Sequence, residues 1–88
     1  MTRRRVVLHG QVQGVFFRGS TLERARQVGV NGWVRNRPDG TVEAVFEGSA
    51  AQVAEMLCYC QEGPPWARVE RIEEFEEEPE GLGGFGIQ

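Results

Sequence analysis

The amino-acid sequence predicts an α+β fold of the ferredoxin-like type, a split βαβ arrangement with the order βαββαβ and a short extra strand. Alternating or apolar stretches bounded by turns indicate the strands, and two longer stretches with apolar residues at helical spacing indicate the helices. Right-handed crossovers between these elements place both helices on one face of an antiparallel-type mixed sheet.

The first strand is predicted at residues 4–12, where alternation gives the strand one buried side. The residues expected on that side are Val6, Leu8, Gly10 and Val12. A glycine-containing loop, residues 13–19, then leads into the first helix.

The first helix is predicted to end at Gly29, because glycine readily adopts the left-handed conformation that terminates helices. Apolar residues recur along it at Leu22, Ala25 and Val28. The sequence leaves its start open. Ser20 and Glu23 have the spacing of a capping box, but the first turn can begin as early as Phe17.

A hairpin and a second helix follow. Strands are predicted at 30–37 and 41–47, since the Pro-Asp-Gly sequence between them is typical of a tight turn. Ser49 and Gln52 have capping-box spacing, so the second helix begins after Ser49 and ends at Gly63. Its apolar stripe is Ala50, Val53, Met56, Leu57 and Cys60.

The fourth strand is predicted at 67–78. Its hydrophobic residues, Val69, Ile72 and Phe75, are three apart, which strict alternation does not allow. Either a β-bulge interrupts the strand or one of these residues faces outward. The acidic second half is expected to form a solvated edge that discourages pairing with other sheets. In the glycine-rich tail, Phe85 and Ile87 are expected to form a short fifth strand.

Length and composition exclude several kinds of function. The 88 residues are expected to form one domain, 1–88, and the chain contains no Lys, which excludes Schiff-base chemistry and a P-loop lysine. One His and two Cys are too few for a zinc site of the usual kind, so we expect no metal and no cofactor. The cysteines form no disulfide framework, and the apolar stretch near the N-terminus is too short for a signal peptide. We therefore expect a cytoplasmic monomer without membrane contact.

Charge is unevenly distributed along the chain. Eight of the ten arginines lie in residues 1–37, and the later part is acidic, within a net charge of −3. The basic part is typical of a protein that binds nucleic acid or a small anion, or it is only a pattern of solvated surface charges. RNA-recognition domains of this strand order need clustered aromatic residues, but residues 42–47 contain one Phe among acidic side chains. No nucleic-acid partner is expected.

The loop at residues 13–18, QGVFFR, is the candidate binding site. It joins a strand to a helix, so its backbone N–H groups can converge on an anion at the helix N-terminus. Gly14 permits a tight turn, and the Arg18 guanidinium can hold phosphate oxygens. The alternative is a tight turn with an exposed arginine. Asn36 reaches the same sheet edge, either as a site residue or as a residue flanking the next turn.

Two longer motifs stand out in the sequence. The first is residues 8–18, LHGQVQGVFFR, and the second is residues 32–36, GWVRN, followed by Gly40, Val42 and Gly48. These motifs resemble the first and second signatures of the acylphosphatase family. Their order and spacing match, and the resemblance covers essentially the whole chain. Trp66 and the glycine-rich tail ending in Gln88 depart from the family pattern.

The resemblance implies metal-independent hydrolysis of acyl phosphates by a positioned water, which gives a carboxylate and inorganic phosphate. The family's phosphate-binding arginine falls on Arg18 and its water-positioning asparagine on Asn36. Its phosphate loop falls on Gln13, Gly14, Val15, Phe16 and Phe17. Inorganic phosphate and other small anions are the expected product or competitors. The alternative is a non-catalytic small-anion-binding or regulatory module of the same fold.

Overall fold

Two helices pack on one face of a five-stranded sheet in the computed structural model, which describes all residues from Met1 to Gln88. In chain order the elements are β1 (Thr2–Gln11), α1 (Phe17–Val28), β2 (Asn31–Asn36), β3 (Val42–Gly48), α2 (Ala50–Glu62), β4 (Arg68–Glu77) and β5 (Phe85–Ile87). Neither helix has the length and apolar character that crossing a membrane requires.

The sheet order is β4-β1-β3-β2-β5, and only the β2–β5 pair is parallel. Because β1 and β2 are both antiparallel to β3, they run in the same direction on either side of it. The predicted ferredoxin-like fold is confirmed. Its consequence for function is that β1 and β2 end at the same edge of the sheet.

The hydrophobic core lies between the helices and one sheet face. Of the residues predicted there from the first strand, Val6, Leu8 and Val12 are buried in it. The helices contribute Phe17, Ala25, Val53, Met56 and Cys60. Ala50, which was also expected in the stripe of α2, is the first residue of that helix and is exposed. Burial of each large apolar side chain in this core contributes about 1.5–3 kcal/mol to folding.

The two helices begin differently. Helix α1 starts at Phe17 behind a left-handed Phe16 that provides no side-chain cap. The capping box at Ser20 and Glu23 is therefore wrong, and the Ser20 hydroxyl instead contacts the Tyr59 hydroxyl of α2. The serine that the local spacing predicted as a helix cap therefore makes a tertiary contact instead.

Helix α2 has the predicted capping box. Ser49 Oγ accepts a hydrogen bond from the Gln52 backbone N–H at 3.1 Å, and Gln52 Oε1 accepts one from the Ser49 N–H at 2.9 Å. The Gln52 side chain also donates to the Val28 carbonyl at 3.2 Å. This one glutamine therefore provides a hydrogen-bond partner for a backbone N–H at the start of α2 and for a backbone carbonyl at the end of α1.

Strand β4 contains the predicted irregularity. Its register against β1 shifts between His9 and Gly10, which leaves Glu70 as the extra residue of a β-bulge. The bulge allows both Val69 and Ile72 to pack against the core. A Cβ at Gly10 would lie 2.2 Å from a backbone oxygen of β4, so this close approach requires glycine.

The other predicted alternative also occurs in β4. Phe75 pairs with Arg5 on the helix-free face of the sheet, and the Arg5 guanidinium carbon lies 4.3 Å from the centroid of the Phe75 ring. Phe75 therefore faces outward beneath a cation, which shields part of its ring from water.

A buried carboxylate, Glu47, organises the helix-free face. It accepts hydrogen bonds from Arg3 Nη1 at 2.9 Å and from the backbone N–H groups of residues 80–82 at 2.7–3.1 Å. Burial alone would raise the pKa of Glu47, but the hydrogen bonds from Glu80, Leu82 and Arg3 outweigh burial and hold the pKa at about 2. Glu47 thereby anchors the segment that leads into β5.

We expect Glu47→Gln to lower the free energy of unfolding at pH 7 by about 3 kcal/mol, because Arg3 loses a buried anionic partner. A carboxyl pKa lowered by folding stabilises the folded state above its ordinary value of 4.5, and this stabilisation is lost as the pH falls toward 2. The difference between wild type and variant should therefore narrow over that range.

Urea unfolding at a series of pH values measures this effect. Glu55→Gln, at an exposed carboxylate of α2, is the matched control and should leave stability within about 0.5 kcal/mol of wild type. A constant gap between wild type and Glu47→Gln from neutral to acidic pH would contradict the assignment.

Candidate functional site

A cavity of about 300 Å³ lies at the sheet edge where β1 and β2 end, beside the N-terminus of α1. The loop and the first turn of α1 contribute Gly14, Phe16, Phe17, Arg18 and Gly19 to its walls. The strands contribute Val12, Asn36 and Ile87. Arg18 and Asn36, predicted from two distant segments, therefore meet in one concavity.

A larger cavity, about 410 Å³, lies between the N-terminus and the end of β4. Its walls include Glu76, Glu77 and Glu78, and its arginine, Arg3, is already paired with Glu77 at 3.0 Å. These carboxylates repel anions. The smaller cavity is therefore the candidate site despite its size.

The loop enters α1 through two left-handed residues, Gly14 with φ of 74° and Phe16 with φ of 65°. Phe16 is the only non-glycine residue of the chain with a positive φ. A bulky residue in this region carries strain, and such strain is concentrated at functional sites. A left-handed residue followed by helical Phe17 turns successive N–H groups toward one side, which creates a concave surface that suits an anion.

The first turn of α1 leaves backbone donors free. Its first backbone hydrogen bond runs from the Ser20 N–H to the Phe16 carbonyl at 3.1 Å. The N–H groups of Phe17, Arg18 and Gly19 consequently have no acceptor within the helix. No acidic side chain lies in this turn either. The donors and the positive end of the helix dipole are thus available to a bound anion.

The Arg18 side chain is half-buried, lines the cavity and takes part in no ion pair. By contrast, Arg3, Arg5 and Arg35 are each held by carboxylates. Arg18 therefore keeps its full donor set for two oxygens of a ligand.

Asn36 is the last residue of β2, and its Oδ1 atom is buried without a hydrogen-bond partner. An unsatisfied buried acceptor costs about 1–3 kcal/mol, so it requires an explanation. Because Asn36 lines the cavity, a donor placed there, such as a water molecule, would satisfy it. The turn-flanking interpretation leaves this atom unexplained.

Two loop residues predicted at the site do not line the cavity. Val15 packs against the core. The Gln13 side chain instead donates from Nε2 to the Arg37 and Thr41 carbonyls, at 2.8 and 2.9 Å. Sequence reasoning missed this contact and the wall residue Ile87, because both depend on segments distant in the chain. It also missed Val12 and Gly19, which directly flank the predicted loop.

Comparison with known proteins decides the family. The acylphosphatase family model matches residues 4–87. The chain belongs to the acylphosphatase family. An acylphosphatase of Rubrobacter xylanophilus is 60% identical over 86 residues, covering 98% of this chain and 77% of that protein. One of Thermococcus kodakarensis is 55% identical over 80 residues, covering 91% of this chain and 88% of that protein.

A solved structure agrees. The crystal structure of the Bacillus subtilis acylphosphatase superposes with a TM-score of 0.96 at 34% identity, covering 100% of this chain and 99% of that one. The fold around the cavity is therefore that of an acylphosphatase.

The left-handed loop gives a stability prediction. We expect Gly14→Ala to lower the free energy of unfolding by about 1–2 kcal/mol, because an added Cβ is strained at φ of 74° although no atom lies within 4 Å of it. Urea unfolding measures the change. Gly83→Ala, where φ is not left-handed and space is open, should leave stability unchanged or slightly higher. Equal effects at both glycines would show that the loop conformation is not strained.

Proposed function

We propose that this chain hydrolyses acyl phosphates by direct attack of one water molecule, without a metal. Acyl-phosphate hydrolysis follows from membership of the acylphosphatase family. The single observation that supports the assignment of residues is the unpartnered, buried Asn36 Oδ1 in the same cavity as the unpaired Arg18 and the free N–H groups of α1.

The phosphoryl group is held by main-chain and guanidinium donors. The backbone N–H groups of residues 13–17 and the first turn of α1 surround it, and Arg18 donates to two of its oxygens. These donors are fixed by the fold before substrate arrives, so they stabilise developing charge without reorganising. Arg18 thus contributes to both substrate binding and charge stabilisation.

Asn36 positions the attacking water. Its Oδ1 accepts a hydrogen bond from the water and directs an oxygen lone pair toward phosphorus. Orienting a reactant in this way converts a bimolecular encounter into a step within the complex, which removes a large entropic part of the barrier. Oxygens of the phosphoryl group can accept the proton that the water releases.

The leaving group explains why so few residues suffice. The departing carboxylate is stable at neutral pH, so no general acid is needed to protonate it. In-line phosphoryl transfer needs mainly positioning and charge neutralisation. A non-catalytic anion-binding module of this fold is not favoured, since relatives that are 60% and 55% identical to this chain are acylphosphatases.

We also propose a single-domain monomer that works in the cytoplasm, with inorganic phosphate as product and competitor and no nucleic-acid partner. Both cysteines are free thiols, which suits a reducing compartment. Ion pairs rather than a large apolar patch cover the helix-free sheet face, so that face offers little for a stable dimer to bury.

The wild-type protein should hydrolyse acetyl phosphate and benzoyl phosphate at the same rate with and without a chelator such as EDTA. Inorganic phosphate should inhibit competitively, because it occupies the phosphoryl site. Release of phosphate is measured after dialysis against the chelator. Phosphate binding without turnover would support the anion-binding alternative, and activity restored only by added metal would contradict direct, metal-independent attack.

Arg18→Ala and Asn36→Ala should lose activity by different routes. Arg18→Ala should lower kcat/KM by about 10²–10³-fold and weaken phosphate inhibition, because it removes a preorganised charged donor. Asn36→Ala should lower kcat by about 10²-fold and leave phosphate inhibition nearly unchanged, because it removes only water orientation.

Steady-state kinetics on folded variants separates these outcomes. Arg26→Ala, an exposed arginine in the last turn of α1, is the control and should retain activity. A loss below fivefold for Arg18→Ala would refute its role. Phosphate inhibition that weakens in parallel with the rate in Asn36→Ala would reassign Asn36 to binding.

A further inference from the structure

One side chain connects the phosphate loop to the strand that carries Asn36. The half-buried Gln13 carboxamide uses both hydrogens of Nε2, donating to the Arg37 carbonyl at 2.8 Å and to the Thr41 carbonyl at 2.9 Å. No other side chain of residues 13–18 forms a hydrogen bond. Gln13 is therefore the polar link between this loop and the β2–β3 turn.

The turn that Gln13 contacts is itself well ordered by hydrogen bonds. The Arg37 N–H donates to the Thr41 carbonyl at 2.8 Å, and the Gly40 N–H to the Arg37 carbonyl at 3.1 Å. The Asp39 carboxylate accepts from the Thr41 hydroxyl and N–H at 2.6 and 3.0 Å, which lowers its pKa. Each of the two carbonyls therefore accepts two hydrogen bonds, one from a backbone N–H of the turn and one from Gln13.

The two carbonyls that Gln13 contacts lie next to Asn36, one in the chain and the other beside its partner strand. Arg37 follows Asn36 directly, and Thr41 precedes Val42, which pairs with Asn36 across the sheet. The Asn36 side chain has no hydrogen bond of its own at Oδ1, so its placement depends on its backbone. Gly14, the first left-handed residue of the loop, follows Gln13 directly. Gln13 consequently links the loop on one side of the cavity to the strand end on the other side.

We propose that Gln13 is a positioning residue: its carboxamide sets the separation between the loop that holds the phosphoryl group and the Asn36 side chain that holds the water. This inference rests on the proposed function. The link requires two N–H donors on one nitrogen atom at the end of a side chain as long as that of glutamine. Methionine matches the length but has no donor, and asparagine keeps the donors but is one methylene shorter.

Kinetics of Gln13→Met with acetyl phosphate tests the proposal. We expect kcat to fall about tenfold, because small misplacement of reacting groups is costly in rate. KM and the inhibition constant for inorganic phosphate should change less than about threefold, since the backbone donors and Arg18 remain. Gln13→Asn should lose less than Gln13→Met. Gln11→Met, at an exposed glutamine without a side-chain hydrogen bond, is the matched control and should behave as wild type.

A double-mutant cycle with Asn36→Ala provides the readout that a merely structural role would not give. If Gln13 acts through Asn36, Gln13→Met should cost less than about twofold in kcat when Asn36 is already alanine. Urea unfolding of every variant, with kinetics run well below the unfolding midpoint, ensures that folded protein is compared.

Three results would overturn the inference: an unchanged kcat in Gln13→Met, an equal loss in both backgrounds, or a phosphate inhibition constant that rises in parallel with the loss of rate. Failure of the proposed function gives a different pattern. In that case wild type does not turn over the substrate, or Asn36→Ala retains wild-type kcat, and the positioning role is rejected together with it.

Discussion

The antiparallel pairing of β1 and β2 with the same central strand is the constraint on which the site depends. It makes β1 and β2, the two strands that flank β3, run parallel, so both end at one edge of the sheet, about 10 Å apart across two strand spacings. Nothing local in either segment brings Arg18 near Asn36. The register of β3 does so, and the loop after β1 curls through left-handed residues into the remaining gap.

The two helices show how the fold separates stability from function. Helix α2 closes its N-terminus with Ser49 and Gln52, which satisfy each other's backbone groups. Helix α1 has no cap, begins behind a strained Phe16 and leaves its first donors unpaired. A side-chain cap at α1 would satisfy the same N–H groups that an anion needs. In the proposed function the missing cap leaves these N–H groups for the phosphoryl group, which would supply the acceptors that the helix lacks.

Features set by local pattern could be predicted from the sequence, whereas features set by distant contacts could not. Alternation, turn residues and helical spacing gave the strand order and the edge shared by Arg18 and Asn36. Of the two starts that the sequence left open for α1, the structure has the earlier one at Phe17, so Ser20 lies inside the helix and contacts Tyr59 instead of forming a capping box. Gln13 contacts residues that lie 24 and 28 positions further along the chain, and no periodicity of the sequence predicts a polar contact of that kind. The anchoring of the tail on buried Glu47 was missed for the same reason.

The uneven charge of the chain also has a structural explanation. The arginines of β1 lie between two acidic strands, where Arg3 pairs with Glu47 and Glu77, and Arg5 with Glu43 and Glu77. Together with Arg35, which pairs with Glu43, three of the eight arginines of residues 1–37 are neutralised on the helix-free face. Arg18 is separated from this network and faces a cavity without a carboxylate. In a chain of net negative charge, an unpaired guanidinium beside free N–H groups is the arrangement that the proposed phosphoryl site requires.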